Sequence, residues 1–323
     1  MPIFNNILAG AAGQSGGAAA GYEIERSLRF NSGDSAYLTR TPPTSGNRQL
    51  WTWSGWVKRT NLGDFDEVFG AATGGTDYFA LRFNNTDNLE IFDRTSSGNV
   101  GQLTTTAVYR DPSAWYHVLY VWDTNNATAA DKRRLYVNGI RVTDLAVNDI
   151  PPNGSQSRIN SGLMPHTIGR YNPTGALYLD GYLAEVHFLD GLTPGTDTDD
   201  NDGSVTGIPN AEYLTDFGEF NETTGVWNPI EYTGSFPGNS FHLDFADNSS
   251  TTSGSNVGIG KDVSGNGNYW NSNNISVTAG AGNDSLCDYP TNGDTANDGG
   301  FGGEVSGNYA TWNPLLVPAA ASY

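Results

Sequence analysis

The chain has 323 residues, with Gly 41, Pro 15, 12% aromatic and 16% charged residues. That aromatic content excludes intrinsic disorder, and a chain of this length buries a sizeable core without disulfides. Sixteen Lys and Arg against thirty-five Asp and Glu give a net charge of −19, which speaks against any partner bound through phosphates.

The nearest basic run, Lys132-Arg133-Arg134, reads as a solvated strand entrance beside Asp131, so no nucleic-acid partner is expected. Cys287 is the single cysteine, which rules out an intrachain disulfide and a multi-cysteine metal site. No stretch approaches the roughly 20 apolar residues of a membrane span. The opening residues carry no positively charged leader, so a secretory signal is not expected.

Residues 1–22 join a short apolar start to a Gly/Ala tract, which packs little side chain and costs backbone entropy on ordering. They are expected to form an extended docking arm held by another subunit. From Glu23 onward, period-2 patterns alternate with Gly, Asn, Asp and Pro clusters, the signature of strands with one face in a core. Leu28 and Phe30 share a face. Trp51, Trp53 and Val57 lie opposite Trp56, and Phe79, Leu81 and Phe83 alternate with Tyr78, Ala80 and Arg82. Trp115–Trp122 is apolar at nearly every position, so both of its faces should be covered. Asn138-Gly139 between strands suits a two-residue turn with two positive φ angles.

Leu177–Leu189 reads as one long strand, with Tyr182, Ala184, Val186 and Phe188 on one face and a bend or bulge at Gly181. Residues 191–209 form an acidic loop, and a short helical turn is expected over Asn210–Phe217. A late strand near 240–246 puts Phe241, Leu243 and Phe245 inward and His242 outward. Residues 278–323 are a Gly/Asn-rich extension with scattered aromatic anchors. The predicted architecture is all-β: a two-sheet sandwich over residues 23–277, with its core in 25–190.

Three stretches carry a resemblance: Trp53–Val57 (WSGWV), Trp115–Val118 followed by Leu135–Gly139, and Leu179–Phe188 (LDGYLAEVHF). In their order and spacing they resemble the laminin-G-like, concanavalin A-like jelly-roll family. Arg26–Asn31, Asp111–Trp115 and Phe220–Gly234 further resemble tail-fibre or surface proteins of marine tailed bacteriophages, as do Asn283–Leu286 and the final Asn313-Pro314-Leu315. The resemblance implies a virion structural protein, made in the host cytoplasm and carried on the tail or capsid surface. It implies a tail fibre or receptor-binding subunit recognising host-surface glycan, with a capsid decoration protein as the alternative. Partners implied are a homotrimer or other homo-oligomer, and other virion proteins through residues 1–22.

Glycan hydrolases occur in the same superfamily, which makes paired carboxylates worth testing. Asp64, Asp66 and Glu67 are the nearest set, and they read as a solvated loop over 61–68. Glu185 and His187 share a strand face that should touch solvent or a neighbouring strand. His117 reads as a half-buried structural histidine, and neither His166 nor His242 has the neighbours of a zinc site. No G-x-S-x-G elbow occurs, nor a Gly-rich phosphate cradle. No catalytic residue and no cofactor is therefore expected. Calcium alone stays open, with its site unknown: Asp197, Asp199, Asn201 and Asp202, or Asp123, Asn125 and Asn126, offer loop oxygens. Of the loops expected to present a binding surface (61–76, 123–131 and 171–176), only the last offers an aromatic at its tip, Tyr171.

Overall fold

The computed structural model describes residues 22–171, 174–280, 282–286 and 290. In chain order the first strands are β1 (Ser27–Phe30), β2 (Tyr37–Arg40), β3 (Leu50–Arg59), β4 (Asp66–Ala72), β5 (Tyr78–Phe83), β6 (Asn88–Thr95) and β7 (Gly98–Val108). Then come β8 (Tyr116–Asp123), β9 (Arg133–Val137), β10 (Ile140–Arg141), β11 (Leu145–Asp149), β12 (His166–Ile168), β13 (Arg170–Tyr171), β14 (Ala176–Tyr178) and β15 (Gly181–Asp190). The remainder are short: β16 (Thr196–Thr198), β17 (Glu212–Leu214), β18 (Gly218–Phe220), β19 (Trp227–Pro229), β20 (Phe241–Leu243), β21 (Asn271–Asn273) and β22 (Ser285–Leu286). Helix among the described residues is limited to two 3-10 turns, at Ser32–Asp34 and Ala129–Asp131.

Two antiparallel sheets form a jelly-roll sandwich. The front sheet runs β16-β17-β10-β9-β8-β3-β15-β1-β22, with β20 also on β15, and the back sheet runs β11-β7-β6-β5-β4-β12-β2-β21. Between them lie Trp51, Trp53, Trp122, Phe69, Phe79 and Phe188, the inward residues of alternating strands. Each such side chain removed from water contributes roughly 1.5–3 kcal/mol. As expected, Trp56 faces the other way, and β8 is covered on both sides. Asn138 and Gly139 take φ of 48° and 80°, the turn that returns β9 to β10.

A buried ion network joins the sheets at one end. The guanidinium of Arg59 on β3, fully buried, donates to Asp66 on β4 at 2.9 and 3.0 Å and to Asp87 at 3.0 Å. Asp66 and Glu67 are thus not in a solvated loop. They open β4 and are buried, because Arg59 supplies the cation that lets Asp66 leave water. Asp64 stays exposed.

Three further expectations change. Residues 212–214 form β17 rather than a helical turn, since Tyr213 pairs with both Ile140 and Asp197. The bulge in β15 is at Glu185, not Gly181. Ala184 faces Trp56 and His187 faces Ser54, so Glu185 and Val186 together oppose Gly55, and Glu185 takes φ of 48°. The extra residue resets the alternation, turning Tyr182 and Ala184 outward with Glu185 and His187 while Val186 and Phe188 stay inward. Residues 1–21 of the expected arm, and nearly all of the chain after Leu286, lie outside the described residues. Ser285-Leu286 pairs with β1, so sheet pairing continues past residue 277.

Candidate functional site: a sealed histidine cluster and an open groove

The front sheet has a second apolar layer on its outer face. Trp56, Trp115, Leu119, Val121 and Ala184 meet Ile24, Leu214, Phe217 and Trp227, which arrive from the chain before β1 and after β15. Trp227 is the centre of this lid. A Cβ on Gly139 or Gly218 would stand 2.4 or 2.3 Å from its ring, so the β10 turn and β18 can close on it only with glycine there.

Beneath the lid are four of the sequence's candidates, His117, Glu185, His187 and His242, all buried or nearly so. The Trp227 indole N–H donates to His117 Nδ1 at 3.2 Å, and His117 Nε2 lies 2.8 Å from Ser54 Oγ. An indole can only donate, so Nδ1 is the acceptor, Nε2 carries the proton, and Ser54 receives it. His117 therefore cannot accept a proton from Ser54, and the pair is not a nucleophile and its base. Burial drives the His117 pKa down to about 3.

Glu185, His187 and His242 form the second half. His242 Nε2 is 2.7 Å from Glu185 Oε2, and His187 Nδ1 donates to the Glu185 carbonyl at 3.1 Å. The two imidazoles stack, with centroids 3.9 Å apart and 18° between planes. Burial lowers the His242 pKa, but the bond and charge of Glu185 outweigh it and raise the group overall. His187 is held well below its ordinary value by burial, with His242 adding to the effect. One oxygen and two nitrogens here lie within 4.8 Å of one another, a donor set suited to a divalent transition metal. The rings are nearly parallel, however, so their in-plane lone pairs do not converge on one point. In this geometry the Glu185–His242 hydrogen bond joins the donors. A cavity of about 10 Å³ adjoins His117, Glu185 and His187, room for one water and for no substrate. Phe217 and Tyr232, stacked at 4.8 Å, and Phe236 complete the cover.

Where the lid reaches the end of the front sheet it leaves a groove of about 540 Å³. Tyr213 of β17 and Phe220 of β18 wall it, their rings edge to face at 6.2 Å, and Phe220 is braced by Trp227 at 4.9 Å. Thr215, Glu219, Asn221 and Glu222 line the rest. Asn221 shapes the β18–β19 turn, its Oδ1 accepting from the backbone N–H of Thr223 and Thr224 at 3.0 and 2.9 Å. Glu219 and Glu222 are exposed. Half-buried aromatic faces beside amide, hydroxyl and carboxylate groups match the two sides of a sugar ring, apolar C–H faces and a polar hydroxyl rim.

Residues 31–194 match the family model described as the concanavalin A-like lectin/glucanases superfamily. The chain belongs to that superfamily. No curated protein sequence matches it. Among solved structures, a SAP-like pentraxin from Limulus polyphemus is 16% identical over 53% of this chain and 80% of its own, at a TM-score of 0.39. Mouse laminin alpha1 chain domains LG4-5 are 14% identical over 52% of this chain and 43% of theirs, at 0.40. The enzymatically active domain of bacteriophage CBA120 tailspike protein 2 is 12% identical over 51% of this chain and 25% of its own, at 0.38. The sealed cluster falls mostly inside the family match, whereas the groove falls wholly outside it.

The other sequence candidates are placed as follows. Of solvent or a neighbouring strand, the two contacts expected for Glu185 and His187, the structure has the second: both are buried by the lid and meet His242 of β20. His166 is structural, accepting from the Asn160 N–H at 2.9 Å and bonded to the Met164 carbonyl at 2.8 Å. Asp199 caps its own loop, accepting from Gly203 N–H, Thr206 N–H and the Thr206 hydroxyl at 3.0–3.1 Å. Asp197, Asn201 and Asp202 likewise accept from Thr198, Asn210 and Ser204. Asp123 accepts from Asn126, and Asn125 donates to Gln49. Tyr171 is no loop tip. It lies in β13, half-buried against Tyr78 at 5.6 Å and 5.7 Å from the Arg82 guanidinium. Tyr213 and Phe220 were not singled out. The signal for them was the hairpin spacing of Gly218-Glu219-Phe220-Asn221 and Gly225-Val226-Trp227.

Proposed function

We propose that this chain is a non-enzymatic surface protein of a tailed bacteriophage particle that recognises host-surface glycan. The observation that carries the recognition role is the groove, with Tyr213 and Phe220 as stacking walls and the exposed carboxylates of Glu219 and Glu222 along its sides. Membership of a lectin-containing superfamily supports it. The wiring of the histidine cluster supports a role without catalysis, since Ser54 receives the His117 proton and the adjoining cavity admits only water. The particle role rests on the resemblance of Arg26–Asn31, Asp111–Trp115 and Phe220–Gly234 to virion surface proteins. In this account residues 1–22 dock on other virion proteins, and the subunit is a homotrimer on the tail.

Locating the subunit in images of intact particles tests the placement. Density on the tail is the expected result, and density on the head lattice would make it a decoration protein instead. Deleting residues 2–20 should abolish incorporation, and normal incorporation would remove the docking role. Purified protein should bind host envelope glycan and release no new reducing ends.

A further inference from the structure

We propose that the groove discriminates by charge, preferring sugars with a free amino group over uncharged ones and excluding acidic sugars. This rests on the groove being the glycan site. No lysine or arginine occurs between Arg170 and Lys261, the stretch that supplies all of the groove's lining. The cation nearest in the sheet is Arg141 of β10, whose strand neighbours β17. Its guanidinium is held by Glu212 and Asp131, each at 2.6 Å, and so is not offered to a ligand. Glu219 and Glu222 line the groove, are exposed, and have no salt bridge among the described residues. An anionic sugar laid on Tyr213 and Phe220 would bring its carboxylate against these two with no cation to offset them. An ammonium in the same place meets two carboxylates already hydrated and unpaired, so little must be broken to make the contact. The stacking faces are indifferent to charge, which separates affinity from selectivity in this site.

The test uses three oligosaccharide probes on full-length protein in a mildly acidic buffer: chitosan oligomers with free amines, chitin oligomers of the same backbone with acetylated amines, and oligogalacturonate. The expected order is chitosan over chitin, with about a threefold preference per carboxylate at low salt that shrinks as salt rises. Oligogalacturonate should not bind measurably. In E219Q/E222Q the chitosan preference, read as the ratio of chitosan to chitin affinity in the same variant, should fall to parity. A preference that survives in E219Q/E222Q, or oligogalacturonate binding equal to chitosan, overturns the charge inference while leaving the groove as the glycan site. Loss of no binding at all in Y213A/F220A would show that the sugars bind elsewhere and overturns both.

Discussion

The histidine cluster and the groove share the same outer face of the front sheet and the same kinds of side chain, yet they are fitted for different things. Under the lid, Ser54, His117, Glu185, His187 and His242 are each bonded within the protein, with space for one water. In the groove, Glu219 and Glu222 stay exposed beside two aromatic rings. Polar residues whose bonds are all internal hold a structure together. Polar residues left to solvent next to an apolar face are available to a ligand. Residue type alone, which singled out Glu185 and His187, does not separate the two cases.

The largest effect should come from removing the piece that divides the regions. Trp227→Ala leaves a void over His117 and takes the brace from Phe220, and is expected to cost about 3–5 kcal/mol. Urea unfolding would register it as a lower midpoint. A cost below about 1 kcal/mol would mean that the lid is not packed as described.

Acid should act next, through the buried histidines of the sealed region and of the back sheet. His117, His166 and His187 are neutral in the fold, with pKa values driven down to about 3 and about 4 for the first two and well below 6.5 for the third. Unfolding frees them to bind protons below their ordinary value. Their contribution is thus complete above pH 6.5 and declines as pH falls toward the folded values, by at most about 1.4 kcal/mol per pH unit for each. His242 has the opposite sign. Its raised pKa gives stability that is present at low pH and lost as pH rises through the folded value. Burial raises Asp66 and Asp93 to about 6 and holds Glu67 well above its ordinary value, so these carboxyls, like His242, gain stability as pH falls. The histidine effect is therefore read as a difference: from pH 7 to pH 5 the wild-type urea midpoint should fall relative to that of His187→Gln, and a flat difference would contradict the burial of that ring.

Much of the frame could be read from the sequence, because alternation along a single strand reports which residues share a face. Trp51 and Trp53 against Trp56, and the covered β8, follow from it. What alternation could not report was the Glu185 bulge. One residue at φ 48°, in the stretch opposite Gly55, breaks the phase between Ala184 and Val186, which strict alternation would put on one face. Asp66 and Glu67 were misplaced for a related reason. Two acidic residues read as solvated unless a buried partner is known. Arg59 reaches Asp66 from another strand, while Glu67 is buried with neither carboxyl oxygen hydrogen-bonded among the described residues. The groove was the least legible feature, since β17, β18 and β19 have three residues each and show no periodicity.

A smaller effect is expected for Ser54→Ala, which removes the acceptor of the His117 N–H at the wall of the water-sized cavity. It should cost about 1–3 kcal/mol and leave glycan binding as it was. Comparable in size is Tyr213→Ala with Phe220→Ala. Both rings are half-buried at the edge of the lid, and their lost burial and mutual contact should together cost about 2–3 kcal/mol.

That last variant also bears most directly on the difference between the two regions. Glycan binding should be measured side by side for the wild type, Ser54→Ala and the Tyr213→Ala/Phe220→Ala double variant, each checked for folding by near-UV circular dichroism. The account predicts binding by the first two, at least a tenfold loss in the third, and no new reducing ends from any of them. Undiminished binding by the folded double variant, or glycan cleavage that disappears in Ser54→Ala, would contradict it.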